Sequence, residues 1–175
     1  MSAITDTPTN PNFLSPLNFR FSIKRSPTLN FFVQKVNLPS ISLPSFEVYN
    51  PMIPVPEPGT QLRYGDLSVT YKVDEDLLNY FEIQNWLIGL GKPETYQQYI
   101  NLVDANAVTA LSELAKNLSN ATLLILDHSN NVTQTVNFYD IFPSSIDAIS
   151  FESTNTDVPY IVGNATFKFS YYNFA

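Results

Sequence analysis

Asp66-Leu67-Ser68-Val69-Thr70-Tyr71-Lys72-Val73 alternates apolar and polar residues without a break. A period of two puts Leu67, Val69, Tyr71 and Val73 on one face of a strand and leaves Ser68, Thr70 and Lys72 to water. Strands with one wet face build antiparallel sheets. Upstream the pattern recurs, with Leu17, Phe19, Phe21 and Ile23 alternating with Asn18, Arg20, Ser22 and Lys24. Downstream, Ala165, Phe167, Phe169 and Tyr171 share a face within one long run from Tyr160 to Tyr172. Ser26-Pro27 reads as a turn, Leu29 to Val36 as a second strand pairing antiparallel with the first, and Ile41, Leu43 and Phe46 as an extended piece after the Leu38-Pro39 break. Thr122 to Leu126 and Val132 to Phe138 flank the polar turn Asp127-His128-Ser129-Asn130-Asn131, a hairpin signal, and Ala148 to Glu152 adds a short extended run.

Helices are few. Asp74 reads as an N-cap, Glu75 and Asp76 complement the positive helix end, and Val73 with Leu78 is spaced for a hydrophobic staple. The helix should run from about Glu75 to Leu90 and stop at Gly91 and Pro93. Its apolar residues are wider than one stripe, which predicts cover on more than one side, with Trp86 as the anchor. Residues 92–118 read as a partly helical insertion: irregular to residue 103, then a second helix capped by Asp104. The sum is roughly seven or eight strands with one or two flanking helices and no strand-helix-strand alternation. The fold class is therefore mainly β (α+β), an antiparallel sandwich or barrel, with Val69, Tyr71, Phe81, Trp86, Phe167 and Phe169 expected in the core.

A length of 175 residues with 44% apolar and 14% aromatic content suits one packed domain, taken as residues 17–175 behind a polar, proline-bearing extended arm at residues 1–16. No run of about 18 apolar residues suggests a membrane span, and the N-terminus has neither a basic start nor an apolar segment, so a soluble protein that stays inside its producing cell is expected. Without cysteine there is no disulfide, thiolate metal site or cysteine nucleophile, and His128 is the single histidine. No metal, cofactor or catalytic set emerges. Asp66 with Asp74-Glu75-Asp76 lacks calcium-loop spacing, and Gly89-Leu90-Gly91 follows a helix where a phosphate-binding loop precedes one. Four Asn-x-Ser/Thr sequons begin at Asn117, Asn120, Asn131 and Asn164 and read as by-products of an Asn/Thr-rich chain. The chain is read as a non-enzyme.

The net charge of −7 is uneven: residues 1–73 hold six Lys/Arg against four Asp/Glu, residues 74–175 three against twelve. With no basic stripe beyond Lys24-Arg25, nucleic-acid binding is disfavoured, while an acidic wall past which DNA slides would fit.

Residues 50–60, NPMIPVPEPGT, carry prolines at 51, 54, 56 and 58, which forbids a helix or a central strand. This stretch, extending to residue 64, is expected to project as a stiff loop. Several segments in order then resemble the tail tube family of contractile-tailed, T4-like bacteriophages. They are Asn18-Phe19-Arg20-Phe21 with Phe32 to Val36 and Leu38-Pro39; Gly65 to Thr70 with Val73 to Asp76, Asn79-Tyr80 and Asn85-Trp86-Leu87; and Val136 to Ser145 with Ala165 to Tyr172. The resemblance covers most of the chain and includes tube-fold baseplate proteins. It implies a subunit of homohexameric rings that stack into a hollow tail tube inside a sheath, in a virion assembled in the host cytoplasm. Implied partners are further copies of the chain, the sheath, baseplate or hub proteins and the tape-measure protein, with DNA crossing the lumen unbound. Residues 19–36, 50–64, 66–73 and 160–173 would then carry ring and stack contacts, above all Pro51, Met52, Ile53, Pro54, Val55, Pro56, Glu57 and Pro58. The leading expectation is the major tube subunit. The alternatives are a tube initiator or terminator of the same fold, and, from another class, a monomeric carbohydrate-binding sandwich using its aromatics.

Overall fold

The computed structural model describes residues 13–91, 94–104, 117–153 and 160–175. Seven strands form the body: β1 (Phe19–Ile23), β2 (Val33–Val36), β7 (Leu67–Lys72), β8 (Ser119–Leu126), β9 (Val132–Ile146), β10 (Val162–Lys168) and β11 (Tyr171–Phe174). Short strands β3 (Ile41–Ser42), β4 (Ser45–Val48), β5 (Val55–Pro58) and β6 (Arg63–Tyr64) stand apart from it, and helices α1 (Pro27–Phe32), α2 (Leu78–Gly91) and α3 (Tyr96–Asp104) pack to one side. The body is an antiparallel sandwich with flanking helices, the expected fold class.

Its organising element is β9, which serves two ladders. Residues 132–141 pair with β8 and in part with β11, and residues 142–146 pair with β10. The order β1-β8-β9-β10-β7-β2 therefore bends over on itself along β9, with β11 on the side of the β1-β8 ladder. The bend falls at Asp140, whose φ of 57° is left-handed and whose amide donates to Asn120 Oδ1 at 3.4 Å. Aspartate tolerates that conformation better than a bulky residue, and such irregularities let one strand change sheets. Pro143 lies opposite Phe167, where the β9-β10 register slips, so its missing amide interrupts no regular ladder.

Between the ladders lies the core. Phe21, Ile23, Leu67, Val69, Tyr71, Val136, Phe138 and Phe167 are buried, as the period of two requires, and Ile141 is buried one residue out of that phase, across the bend at Asp140. Trp86 closes it from α2, 6.4 Å from the Phe167 ring and donating its indole N–H to the Asn117 carbonyl at 3.0 Å. Gly163 must lack a side chain, since a Cβ there would stand 2.8 Å from the Tyr71 ring.

Several expectations are corrected. Leu29 to Phe32 is helical: Pro27 starts α1, Leu29 is buried beneath it, and only Val33–Val36 is a strand. Strands β1 and β2 are not neighbours; they form the two ends of the sheet path, because α1 carries the chain across. Helix α2 begins at Leu78, not Glu75. The Asp74 carboxylate accepts from the adjacent Glu75 amide (3.0 Å), and its carbonyl accepts from the Leu77 amide (3.0 Å), closing a turn at residues 74–77 that ends at Leu77, with φ 58°. The clamp on this turn is buried Asn79, whose Nδ2 donates to the Lys72 carbonyl at 2.8 Å while its Oδ1 accepts from the Asp74 amide at 3.3 Å. Leu78 and Phe81 are thereby turned outward, and Phe81, expected in the core, is 45% exposed. What α2 buries is a single stripe, Asn79, Ile83, Trp86 and Gly89. Asp104 ends α3 instead of opening a helix, and the second helix read through Val108 and Leu114 lies outside the described residues. Ala148 to Glu152 is not a strand; β9 itself runs on to Ile146. The C-terminal run is broken at Phe169-Ser170, so Ala165 and Phe167 face the core, Phe169 packs partly buried on Phe138 at 5.3 Å, and Tyr171 joins the other ladder, half exposed, stacked on Tyr139 at 4.7 Å.

Val69→Asp places a carboxylate among buried side chains, and we expect it to abolish cooperative thermal unfolding, whereas Phe81→Ala should cost less than about 1 kcal/mol in denaturant titrations. Retained stability of the aspartate variant would refute the register of β7. Tyr71 gives a pH test. Its hydroxyl is buried without a hydrogen-bond partner among the described residues, and burial, followed by the nearby Tyr80 and Asp147 charges, pushes its phenol up to about 12. The native state therefore keeps its proton after the unfolded chain has released it, so stability falls as pH rises from about 10 to about 12. Tyr71→Phe should melt at or above the wild-type temperature at neutral pH and lose part of that alkaline decline.

Candidate functional site

Residues 40–65 leave the body as one long two-stranded arm. Its lower section pairs Ile41 with Tyr64 and Ser42 with Arg63, and its upper section pairs Ser45 with Pro58, Phe46 with Glu57, Glu47 with Pro56 and Val48 with Val55. Two amide bonds bridge the sections at their bases, Gly65 N–H to the Ser40 carbonyl (2.8 Å) and Gly59 N–H to the Pro44 carbonyl (2.7 Å). At 3.3 Å per residue the ribbon reaches roughly 25–30 Å. The expected loop is thus a hairpin with Pro51 and Pro54 in its turn and Pro56 and Pro58 on β5, a strand with a neighbour on one side only among the described residues, where a missing amide costs no ladder bond.

Every residue from Ile41 to Pro58 is exposed, and the tip presents Tyr49 (90% exposed), Met52 (88%) and Ile53 (66%) beside Phe46, Val48 and Val55. Pro51, Pro54, Pro56, Glu57 and Pro58 complete the predicted contact set, so the structure brings all eight of those residues together on one projection. An isolated two-stranded hairpin is marginal in water, and this one leaves its apolar side chains exposed along its length.

What holds the arm was not read from the sequence. Tyr64, at its base, packs its ring 5.7 Å from Phe169 and 5.5 Å from Tyr172, and the Tyr172 hydroxyl donates to the Pro39 carbonyl at 3.3 Å. These aromatics are far apart along the chain and carry no local spacing signal.

Other candidates do not assemble. His128 is exposed at the β8-β9 turn, where Asp127 Oδ1 accepts from the Ser129 amide (2.7 Å) and the Asn131 amide (2.9 Å), bonds that hold its carboxyl below the usual range. Asp66 Oδ1 meets Lys168 Nζ at 3.7 Å. Among the described residues no group of three or more His, Asp or Glu is placed to hold a metal ion. Gly89 lies where α2 crosses α3, a Cβ there standing 2.9 Å from Leu102. Between those helices a cavity of about 470 Å³ is lined by Arg25, Glu82, Asn85, Trp86 and Leu102, among others, without a paired nucleophile and base. There Arg25 is spoken for: its guanidinium stacks 5.1 Å over Trp86 and donates to the Leu102 carbonyl at 2.9 Å.

No family model matches the chain. Over 168 residues it is 25% identical to the tail tube terminator protein of Enterobacteria phage T4, covering 92% of this chain and 88% of that protein. In structure it is similar to the tube-terminating cap of the anti-feeding prophage, at a TM-score of 0.62 with 12% identity, over 100% of this chain and 99% of that one. It is also similar to the sheath/tube terminator of the extracellular contractile injection system PVC, at a TM-score of 0.59 with 15% identity, over 95% and 99% of the two chains. The two structural likenesses carry the fold, and with the sequence likeness they bear out the resemblance to the tail tube family of contractile systems.

If the aromatic seat fixes the arm, Tyr64→Ala should speed limited proteolysis within residues 41–64 while lowering global stability by no more than about 1–2 kcal/mol. Unchanged cleavage rates would show that the arm is held some other way.

Proposed function

We propose that this chain is a structural protein of a contractile tail or injection system and, within that class, the terminator that closes the end of the tail tube. The observation that carries this reading is the sequence likeness to the T4 tube terminator over 92% of the chain. It reverses the order of the sequence-based expectations, which put the major tube subunit first and the terminator among the alternatives.

The fold supplies parts suited to the task. Strands β1 and β2 end the sheet path, so each leaves one edge without a strand neighbour among the described residues. Edges at opposite ends of one sheet allow head-to-tail pairing of copies, which closes into a ring when the rotation per copy divides a circle. The arm would reach past its own subunit and set Tyr49, Met52 and Ile53 against the last tube ring. Proline stiffening lowers the conformational entropy lost on docking. The partners in this reading are further copies of the chain in a homohexameric ring, the tube and the sheath. The location is the tail of the particle.

Electron microscopy of the purified protein over a concentration series, with sedimentation alongside, tests the assignment. We expect single rings that do not elongate and that cap preformed tubes. Long tubes from this chain alone would restore the major-subunit reading, and a monomer that ignores tubes and binds glycans would replace both. Deleting residues 51–58 should leave a subunit with wild-type circular dichroism that no longer caps tubes; normal capping by that variant would remove the arm from the mechanism.

A further inference from the structure

The chain carries 16 carboxylates, yet the seven body strands hold one, Asp140, against four basic side chains, Arg20, Lys35, Lys72 and Lys168. Three of the four basic residues share the outer face of one ladder. With Leu67, Val69, Tyr71, Ala165 and Phe167 buried, alternation turns Ser68, Thr70 and Lys72 of β7 and Asn164, Thr166 and Lys168 of β10 outward. Lys35 of β2 stands beside Thr70, which stands beside Asn164, and Ser68, Thr166 and Ser145 form a second row. The two rows are hydroxyls, an amide and the Lys35 ammonium, with the Thr70 hydroxyl donating to Asn164 Oδ1 at 2.8 Å; at the end of the face Lys72 stands beside Val162, its ammonium 4.0 Å over the Tyr160 ring. Carboxylates appear only at the margins, Asp66 paired with Lys168 and Asp147 at the strand end where its amide meets the Asn164 carbonyl. The acidic wall expected from the net charge is absent from this face.

We propose that the outer face of the β2-β7-β10 ladder is a weak, sequence-independent contact surface for the phosphodiester backbone of a nucleic acid, with Lys35, Lys72 and Lys168 meeting phosphates and the hydroxyl rows donating hydrogen bonds to them. Phosphates take such contacts from Lys, Ser, Thr and Asn alike, and none of them reads sequence. An acidic peptide fits less well, because acidic motifs are held by arginine clusters, and the cations of this face are all lysines. At 0.1 M salt charges are screened over about 10 Å, so a backbone resting here meets the local lysines rather than the net charge of the chain. The marginal carboxylates keep the grip light. The biological role of this face, a channel wall that DNA touches and leaves, rests on the tube-end reading above; its charge does not.

The test is fluorescence anisotropy of a fluorescein-labelled DNA duplex titrated with the full chain at about 0.1 M salt. Weak binding is expected, with a salt slope corresponding to roughly three phosphate contacts. Lys35→Glu/Lys168→Glu should weaken it about tenfold, and Thr166→Lys, which adds a cation to the same face without removing a core contact, should strengthen it severalfold. Arg20→Glu/Lys24→Glu makes the same change of net charge on the other ladder and should leave affinity within about twofold. Equal losses from the two double variants, no binding by the wild type and by Thr166→Lys, or polyglutamate competing as well as DNA at equal charge would each overturn the proposal. Microscopy of rings is independent of these titrations, so failure of the ring reading and failure of the contact face are separately visible.

Discussion

Everything in this fold depends on one strand serving two ladders. If β9 stayed straight, the β1-β8-β11 side and the β10-β7-β2 side would form a single open sheet with one face bare. The left-handed turn at Asp140 folds that sheet over, and only then do Phe21 and Ile23 face Phe167 and Tyr71 across a common interior. Asn120 steadies the bend from β8 by accepting the Asp140 amide, and the register slips in β8 and β10 fall close to it. Helix α2 can then cap the interior with Trp86, whose indole finds its acceptor on Asn117.

The period-two strands were legible because each buries one face: Leu67 to Lys72 and the β8-β9 hairpin stand where alternation put them. Reading failed where a tertiary partner overrode a local signal. Leu29 to Val36 is rich in aromatic and β-branched residues, but Asn30 reaches back to the Ile23 amide at 2.7 Å and α1 packs on α2, so the first half of the run coils. Asp74 looks like a cap because caps are recognised by residue type; the group that clamps the turn is Asn79, buried and bonded to both sides of it. The arm was visible in its prolines, whereas its aromatic seat joins Tyr64 to Phe169 and Tyr172 and has no signature along the chain.

Charge is a further case in which totals mislead. A net of −7 suggests an acidic surface everywhere, yet the strands were spared and the carboxylates concentrated elsewhere, in the described residues mostly on turns, helices and the arm. Side chains on the wet face of a sheet are held in fixed rows, so their composition governs what can lie against them more directly than the molecule's overall charge does.

The prolines of β5 have a consequence for how the particle is built. A bare hairpin edge invites strand addition from any neighbour, a second copy of the chain included. Pro56 and Pro58 offer no amide to such a visitor, so the arm can be engaged through its side chains but is a poor template for another strand. Under the terminator reading proposed above, copies waiting for a tube end would collide without fusing through their arms.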